Sequence, residues 1–204
     1  MVFGKRLFAA TYDRVNERWE RKLDPIRQRT LAPARGRVLE LGGGTGRNLP
    51  LYGDDVELTV VEPNPHMAER LVERARAIGR QVTVVPDRAE ALSFQDGSFE
   101  FLVSTLMLCS VEDLDASIRE ARRVLAPGST WIFLEHTNAG GWKGRAQTLV
   151  NPVWGLFSGG CNIDRDILGA FERAGFARLD LLERFHAPVG PSLANPHLIA
   201  HAVR

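Results

Sequence analysis

Val38-Leu39-Glu40-Leu41-Gly42-Gly43-Gly44-Thr45-Gly46 decides the fold: an apolar strand bearing one carboxylate empties into a glycine-dense turn, and a helix is expected next. Nucleotide-like ligands dock at such junctions in open α/β sheets. Glycines at 42, 44 and 46 permit a tight turn and let a ligand lie against bare backbone, because side chains there would occupy its volume. A dinucleotide fingerprint would need glycine at position 47, where Arg47 stands, so the pattern is E-x-G-x-G-x-G and argues against a nicotinamide-dependent oxidoreductase. No G-K-[ST] is present to hold a nucleotide's phosphates. Twenty positions past Gly42, a predicted strand over 56–61 ends at Glu62. A carboxylate at that place can accept hydrogen bonds from both hydroxyls of a ribose. Glu40 and Glu62, bracketing the turn, suit a cationic, ribose-bearing ligand with no diphosphate.

Outward from this motif, strands alternate with helices. The spacing predicts a helix over 67–78 stopped by Gly79, a strand over 81–85, and a strand over 99–108 whose apolar start suits burial on both faces. A helix over 113–125 closes at Ala126-Pro127-Gly128, a fifth strand covers 130–134, and a helix over 164–174 ends at Gly175. This order argues for a parallel sheet with right-handed crossovers. Strand-like stretches over 178–185 and 197–203 then suggest an antiparallel hairpin at the sheet edge. Residues 140–160 carry Trp142, Trp154 and Phe157, which either cover a pocket or pack. Ahead of the motif, Phe8, Tyr12, Val15, Trp19 and Leu23 form one helical stripe, and Asp24-Pro25 is expected to end that helix and begin a second.

The chain of 204 residues can bury one full core, so a single domain is expected, with residues 1–36 as a helical lid on a core over 37–204. Its net charge of +1 excludes the basic stripe of a nucleic-acid binder. Residues 1–37 hold ten basic against four acidic side chains, either a solvated face or a basic amphipathic surface that touches an anionic membrane or acidic substrate. Cys109 and Cys161 lack metal-ligand spacing and read as packing, and no metal is expected. No apolar run approaches the ~20 residues that span a bilayer, so a cytoplasmic setting is expected.

S-adenosylmethionine, with its sulfonium, amino group, carboxylate and ribose, fits the ligand just described. Here the chain resembles the class I S-adenosylmethionine-dependent methyltransferases. Glu62-Pro63-Asn64, Ala89-Glu90-Ala91-Leu92-Ser93-Phe94, Gly97-Ser98-Phe99-Glu100 and Arg123-Val124-Leu125-Ala126-Pro127-Gly128 carry the likeness. It implies a Rossmann-like α/β fold: a seven-stranded mixed sheet, helices on both faces and the C-terminal hairpin. S-adenosylhomocysteine would be the product. The family commonly keeps an aspartate just before that alanine for the adenine amino group; here Arg88 holds the place and Asp87 precedes it, so the contact is expected from Asp87 or from backbone near Ala89. Ser104 and Thr105, within the fourth strand, are expected beside the cofactor.

A narrower likeness is to the alkyl thiol methyltransferase-like branch. Thr105-Leu106-Met107-Leu108-Cys109-Ser110-Val111, Leu134-Glu135-His136, Asn151-Pro152-Val153-Trp154, Gly160-Cys161-Asn162 and Pro196-His197 resemble its characteristic stretches. Members of that branch are often membrane-anchored by a hydrophobic N-terminal segment, which is not expected here. Bacterial phospholipid N-methyltransferases resemble the same core and leave a lipid amine as the alternative acceptor. A module that binds S-adenosylmethionine without catalysis is a third reading.

A methyl on sulfonium needs little activation, so positioning dominates: the acceptor must lie in line, roughly 3 Å behind the methyl. A thiol near pKa 8.5 is already partly ionised at neutral pH, whereas an alcohol needs a committed base. His136, after the fifth strand, is the candidate base, or else a locally bonded side chain that shapes the pocket. Tyr12 and Asn48 are candidates for the methionine end of the cofactor.

Overall fold

The computed structural model describes residues 21–158, 160–187 and 192–204. Seven strands, β1 (Gly36–Leu41), β2 (Val56–Val61), β3 (Thr83–Val85), β4 (Phe99–Thr105), β5 (Leu125–His136), β6 (Arg178–His186) and β7 (Pro196–Val203), form one sheet in the order β3-β2-β1-β4-β5-β7-β6. The first five are parallel, and β7 runs antiparallel to both β5 and β6. The expected hairpin is therefore present, with β7 inside and β6 at the edge. Strand order reverses between β1 and β4, and the crevice at their carboxyl ends is where open α/β sheets bind ligands.

Both faces of the sheet are covered. Neighbouring residues on each central strand point into different cores: Leu39, Leu102 and Phe133 pack with α3 (Leu114–Val124) and α5 (Ile167–Arg173). Val38, Val60 and Val103 pack with α2 (Pro65–Ala77) and with Leu31 of a helical run over 21–31, here α1. Phe171 stacks on Phe133 at 4.2 Å with an interplanar angle of 6°, and Trp131 lies 4.6 Å from it. Helix ends match local chemistry: Asn64, Asp113 and Asp166 accept backbone N–H groups at the starts of α2, α3 and α5.

Three expectations change. The helix is continuous through Asp24-Pro25 across 21–31, because Arg47 Nε and Nη2 clasp the Asp24 carboxylate at 3.0 and 2.7 Å and remove it from capping. After the glycines comes a short 3-10 turn, Leu49–Leu51, instead of an α-helix; Pro50 lacks a donor and Gly53 follows at once. The fourth strand stops at Thr105, since Leu106 takes φ +56° and turns the chain. Within the range left open, residues 141–157 form α4 (Gly141–Phe157).

Replacing Phe171 with Ala opens a hole against Phe133 and Trp131 and is expected to lower stability by about 3–5 kcal/mol. Denaturant unfolding checks this; a loss under about 1 kcal/mol would remove the stack from the core's main supports.

Candidate active site

The glycine turn leaves β1 with Gly42, Gly44 and Gly46 at φ +69°, +55° and +78°, a backbone that side chains rarely adopt. Their surroundings differ. A Cβ on Gly42 would come 2.6 Å from Met107 Cβ, and one on Gly46 would come 2.8 Å from Leu49 Cδ1. At Gly44 no atom lies within 4 Å of that position, so this residue presents bare backbone to an open crevice. Gly43, overlooked in the sequence pattern, is required by packing, since a Cβ there would sit 2.2 Å from Val60 Cγ1.

Glu62 stands at the end of β2, 7% exposed. Its Oε2 accepts Gly44 N at 2.8 Å and its Oε1 accepts Asn64 N at 2.9 Å, so two backbone donors hold the carboxylate beside the open glycine. A carboxylate offers about four acceptor positions, and two N–H bonds do not exhaust them. Pro63, next in the chain, is exposed. A side-chain-free bend beside an oriented acid fits a ribose-bearing cation.

Glu40 behaves otherwise. It is 2% exposed and is consumed from within: Asn48 Nδ2 donates to its Oε1 at 2.8 Å and Tyr52 Oη to its Oε2 at 3.0 Å. Asn48 Nδ2 also lies 2.9 Å from Thr105 Oγ1, while Arg27 Nη1 donates to Asn48 Oδ1 at 3.1 Å and Thr105 Oγ1 at 2.8 Å. These residues form a buried polar brace that joins α1, the glycine turn and the end of β4. Glu40, Asn48 and Thr105 are thus brought together, with their polar atoms turned to one another under the turn. Burial raises the Glu40 pKa to about 7. Arg27 and Tyr52 were missed; Arg27 lies between Leu23 and Leu31 at intervals of four, a cation on an apolar stripe that signals a buried partner.

Ser104 is fully buried within β4, where its hydroxyl accepts the Trp131 indole N–H at 3.2 Å and hydrogen-bonds the Glu135 carboxyl. Asp87 Oδ2 takes Ser93 N at 2.7 Å and Ser93 Oγ at 2.6 Å and so ties the turn that carries Arg88 and buried Ala89. Arg88 points outward to Glu90 and Glu112. Tyr12 lies outside the described residues.

His136 ends β5, 8% exposed, with Nδ1 2.9 Å from the Ala194 carbonyl and its ring 4.2 Å from that of His197. A carbonyl only accepts, so Nδ1 carries the proton. Burial, then the neighbouring His197, lowers its pKa to about 3. That direction bears on the expected role of His136 as a base, because an imidazole that disfavours its protonated form takes up a proton poorly at neutral pH. Glu135 beside it is fully buried and accepts Met107 N and Leu108 N at 3.3 and 3.2 Å. Its pKa is driven well up by burial and then by Cys109. By holding Met107 against Gly42, Glu135 sets the second wall of the crevice. A depression of about 470 Å³ lined by Arg35, Gly36, Asp55 and Glu100 opens instead at the amino ends of β1 and β4, away from this chemistry.

Because its folded pKa lies above that of the unfolded chain, Glu40 is most compatible with folding below about pH 4.5 and costs stability as pH rises toward 7. Glu40→Gln should therefore gain on wild type by about 3 kcal/mol between those pH values. Denaturant unfolding of both across that range tests it; a constant difference would mean that the carboxyl is not buried as described.

Residues 14–181 match a family described as a methyltransferase domain. The human thiol S-methyltransferase TMT1A is 35% identical over 172 residues, 82% of this chain and 70% of the relative. Human thiol S-methyltransferase TMT1B is 31% identical over 208 residues, 97% of this chain and 84% of the relative. Among solved structures, an S-adenosylmethionine-dependent methyltransferase from Thermotoga maritima superposes with a TM-score of 0.74 at 21% identity, covering 100% of this chain and 99% of its own, a likeness of fold. The glycine bend, the acid after β2 and the reversed strand order therefore belong to a member of the methyltransferase-domain family, and the chain is an S-adenosylmethionine-dependent methyltransferase.

Proposed function

We propose that this protein methylates the sulfur of a small-molecule thiol. The observation that carries the reading is how the polar groups at the crevice edge are engaged: His136 Nδ1 is spent on the Ala194 carbonyl with its ring packed on His197, and both Glu135 oxygens accept the backbone N–H groups of Met107 and Leu108. Neither supplies the committed base that an alcohol would need, and a thiol ionises largely by itself. The relatives named as thiol S-methyltransferases support the same acceptor class.

S-adenosylmethionine supplies an electrophilic methyl on a positively charged sulfur. Around it, Glu62 would receive the ribose hydroxyls with Pro63 at its flank, and the bend of Gly42, Gly44 and Gly46 would take the methionine portion against its backbone, which is open at Gly44. The turn at Arg88 and Ala89, tied by Asp87, would border the adenine. The brace of Arg27, Glu40, Asn48 and Thr105 keeps the bend in shape. Met107, positioned by Glu135, limits the space from which the thiolate approaches in line. A reducing, cytoplasmic setting suits the two free thiols, Cys109 and Cys161.

Glu62→Ala is expected to weaken S-adenosylmethionine binding by about 1–3 kcal/mol, read by calorimetry, through loss of charge-assisted hydrogen bonds. Unchanged affinity would refute the ribose contact. With a series of thiols of different acidity, kcat/KM should rise about tenfold per pH unit and level off at each acceptor's own pKa, in wild type and His136→Asn alike. A break at one fixed pH for all acceptors would reveal an enzymic base, and product from amines alone would overturn the thiol assignment.

A further inference from the structure

Helix α4 carries apolar side chains on two sides. Inward, Val150 and Trp154 pack on the cluster of Cys109, Cys161, Ile163 and Ala194 beside buried amides: Gln147, 1% exposed, accepts Ala139 N and donates to the carbonyls of Ile163 and Leu193. One turn on, Asn151 accepts Ile163 N at 2.9 Å and donates to Asn162. The outward side carries Trp142, Leu149, Val153 and Leu156, exposed by 72, 82, 60 and 81%. Intervals of seven, four and three residues align them in one stripe. Single exposed leucines are ordinary on protein surfaces, but a continuous apolar face marks something it meets.

The charges indicate what that is. Residues 137–163 contain no Asp or Glu. Arg145 is exposed on the outward side, and the Lys143 ammonium lies 5.9 Å from the centre of the Trp142 ring. Two copies of this face pressed together would gather four cations with no carboxylate on either helix to neutralise them. An anionic bilayer supplies both the missing negative charge and an apolar layer that needs no matching shape. A tryptophan beside a lysine is also a pairing that favours the headgroup level, the ring in the boundary and the ammonium at phosphate. We infer that the outward face of α4 seats this protein on an anionic lipid surface. Trp142, Leu149, Val153 and Leu156 enter the headgroup–acyl boundary, and Lys143 and Arg145 meet phosphate oxygens.

The helix lies in the membrane plane. It has 17 residues, contains Pro152 and keeps Gln147 and Asn151 on its protein side, and no described helix is long and apolar enough to cross a bilayer. It begins just beyond the carboxyl end of β5, the sheet edge at which the glycine crevice opens. Docking therefore turns that edge toward the phase in which apolar acceptors concentrate; this last consequence rests on the proposed thiol reading, while the lipid contact does not.

Flotation of the full-length protein with vesicles of phosphatidylcholine containing about one-third phosphatidylserine, at about 0.1 M salt, tests the contact. Wild type is expected to float, and Leu149→Ser/Leu156→Ser to lose about tenfold or more of its partition coefficient. Lys143→Gln/Arg145→Gln should lose about tenfold on anionic vesicles and nothing on pure phosphatidylcholine. Circular dichroism and melting temperature establish that both variants stay folded. Wild type left in the bulk, or a double-serine variant that floats as well as wild type, overturns the inference. So does dependence on Lys5→Gln/Arg6→Gln alone, or a wild-type dimer that the serines split while neither form floats. Methylation of a water-soluble thiol without vesicles reads the proposed function separately, so either can fail while the other stands.

Discussion

One hydrogen bond ties the cofactor end of the fold together: the Gly44 N–H donates to Glu62 Oε2 at 2.8 Å across the gap between the first two strands. It orients the acid and at the same time pins the bend that presents open backbone at Gly44. That bond is possible only because Gly44 adopts a left-handed backbone with nothing above it, and because parallel pairing of β1 with β2 brings both strand ends level. A side chain at 44 would strain the turn and fill the space it serves.

Beneath the bend, the protein invests buried polar groups where an apolar core would have been simpler. Glu40, Asn48, Thr105, Tyr52 and Arg27 satisfy one another within a few ångströms. Such networks are costly when incomplete and restrictive when complete, since each member accepts few geometries. Here the restriction has a use: it locks α1, the glycine turn and the end of β4 into one relative placement. Methyl transfer depends on placement to a fraction of an ångström, so rigidity here matters more than any single reactive group. The opposite wall follows the same logic, with buried Glu135 fixing Met107 through its backbone.

Much of the architecture was legible along the chain. Apolar runs that alternate with helical spacing, and Gly79 and Asp113 at their boundaries, mark elements whose propensity and burial agree, so local reading and fold coincide. Two features that the chain alone does not show are side chains claimed by distant partners. Asp24 looked like a cap and instead holds Arg47, the residue that breaks the dinucleotide pattern. His136 stands at a strand end, and His197 and Ala194, far along the chain, close over it.

By itself the sequence determined the alternation of strands and helices, the glycine bend and the acid that follows β2, because each depends on short-range sterics and on periodic apolar residues. Only the tertiary structure decided which carboxylate stands beside the open glycine and which is buried as a brace, and that α4 leaves an apolar stripe facing outward. Burial and hydrogen-bond partnership are properties of the assembled molecule: Glu40 and Glu62 differ little in their neighbours along the chain, and it is Asn48, Tyr52 and Gly44, arriving from other elements, that give them opposite roles.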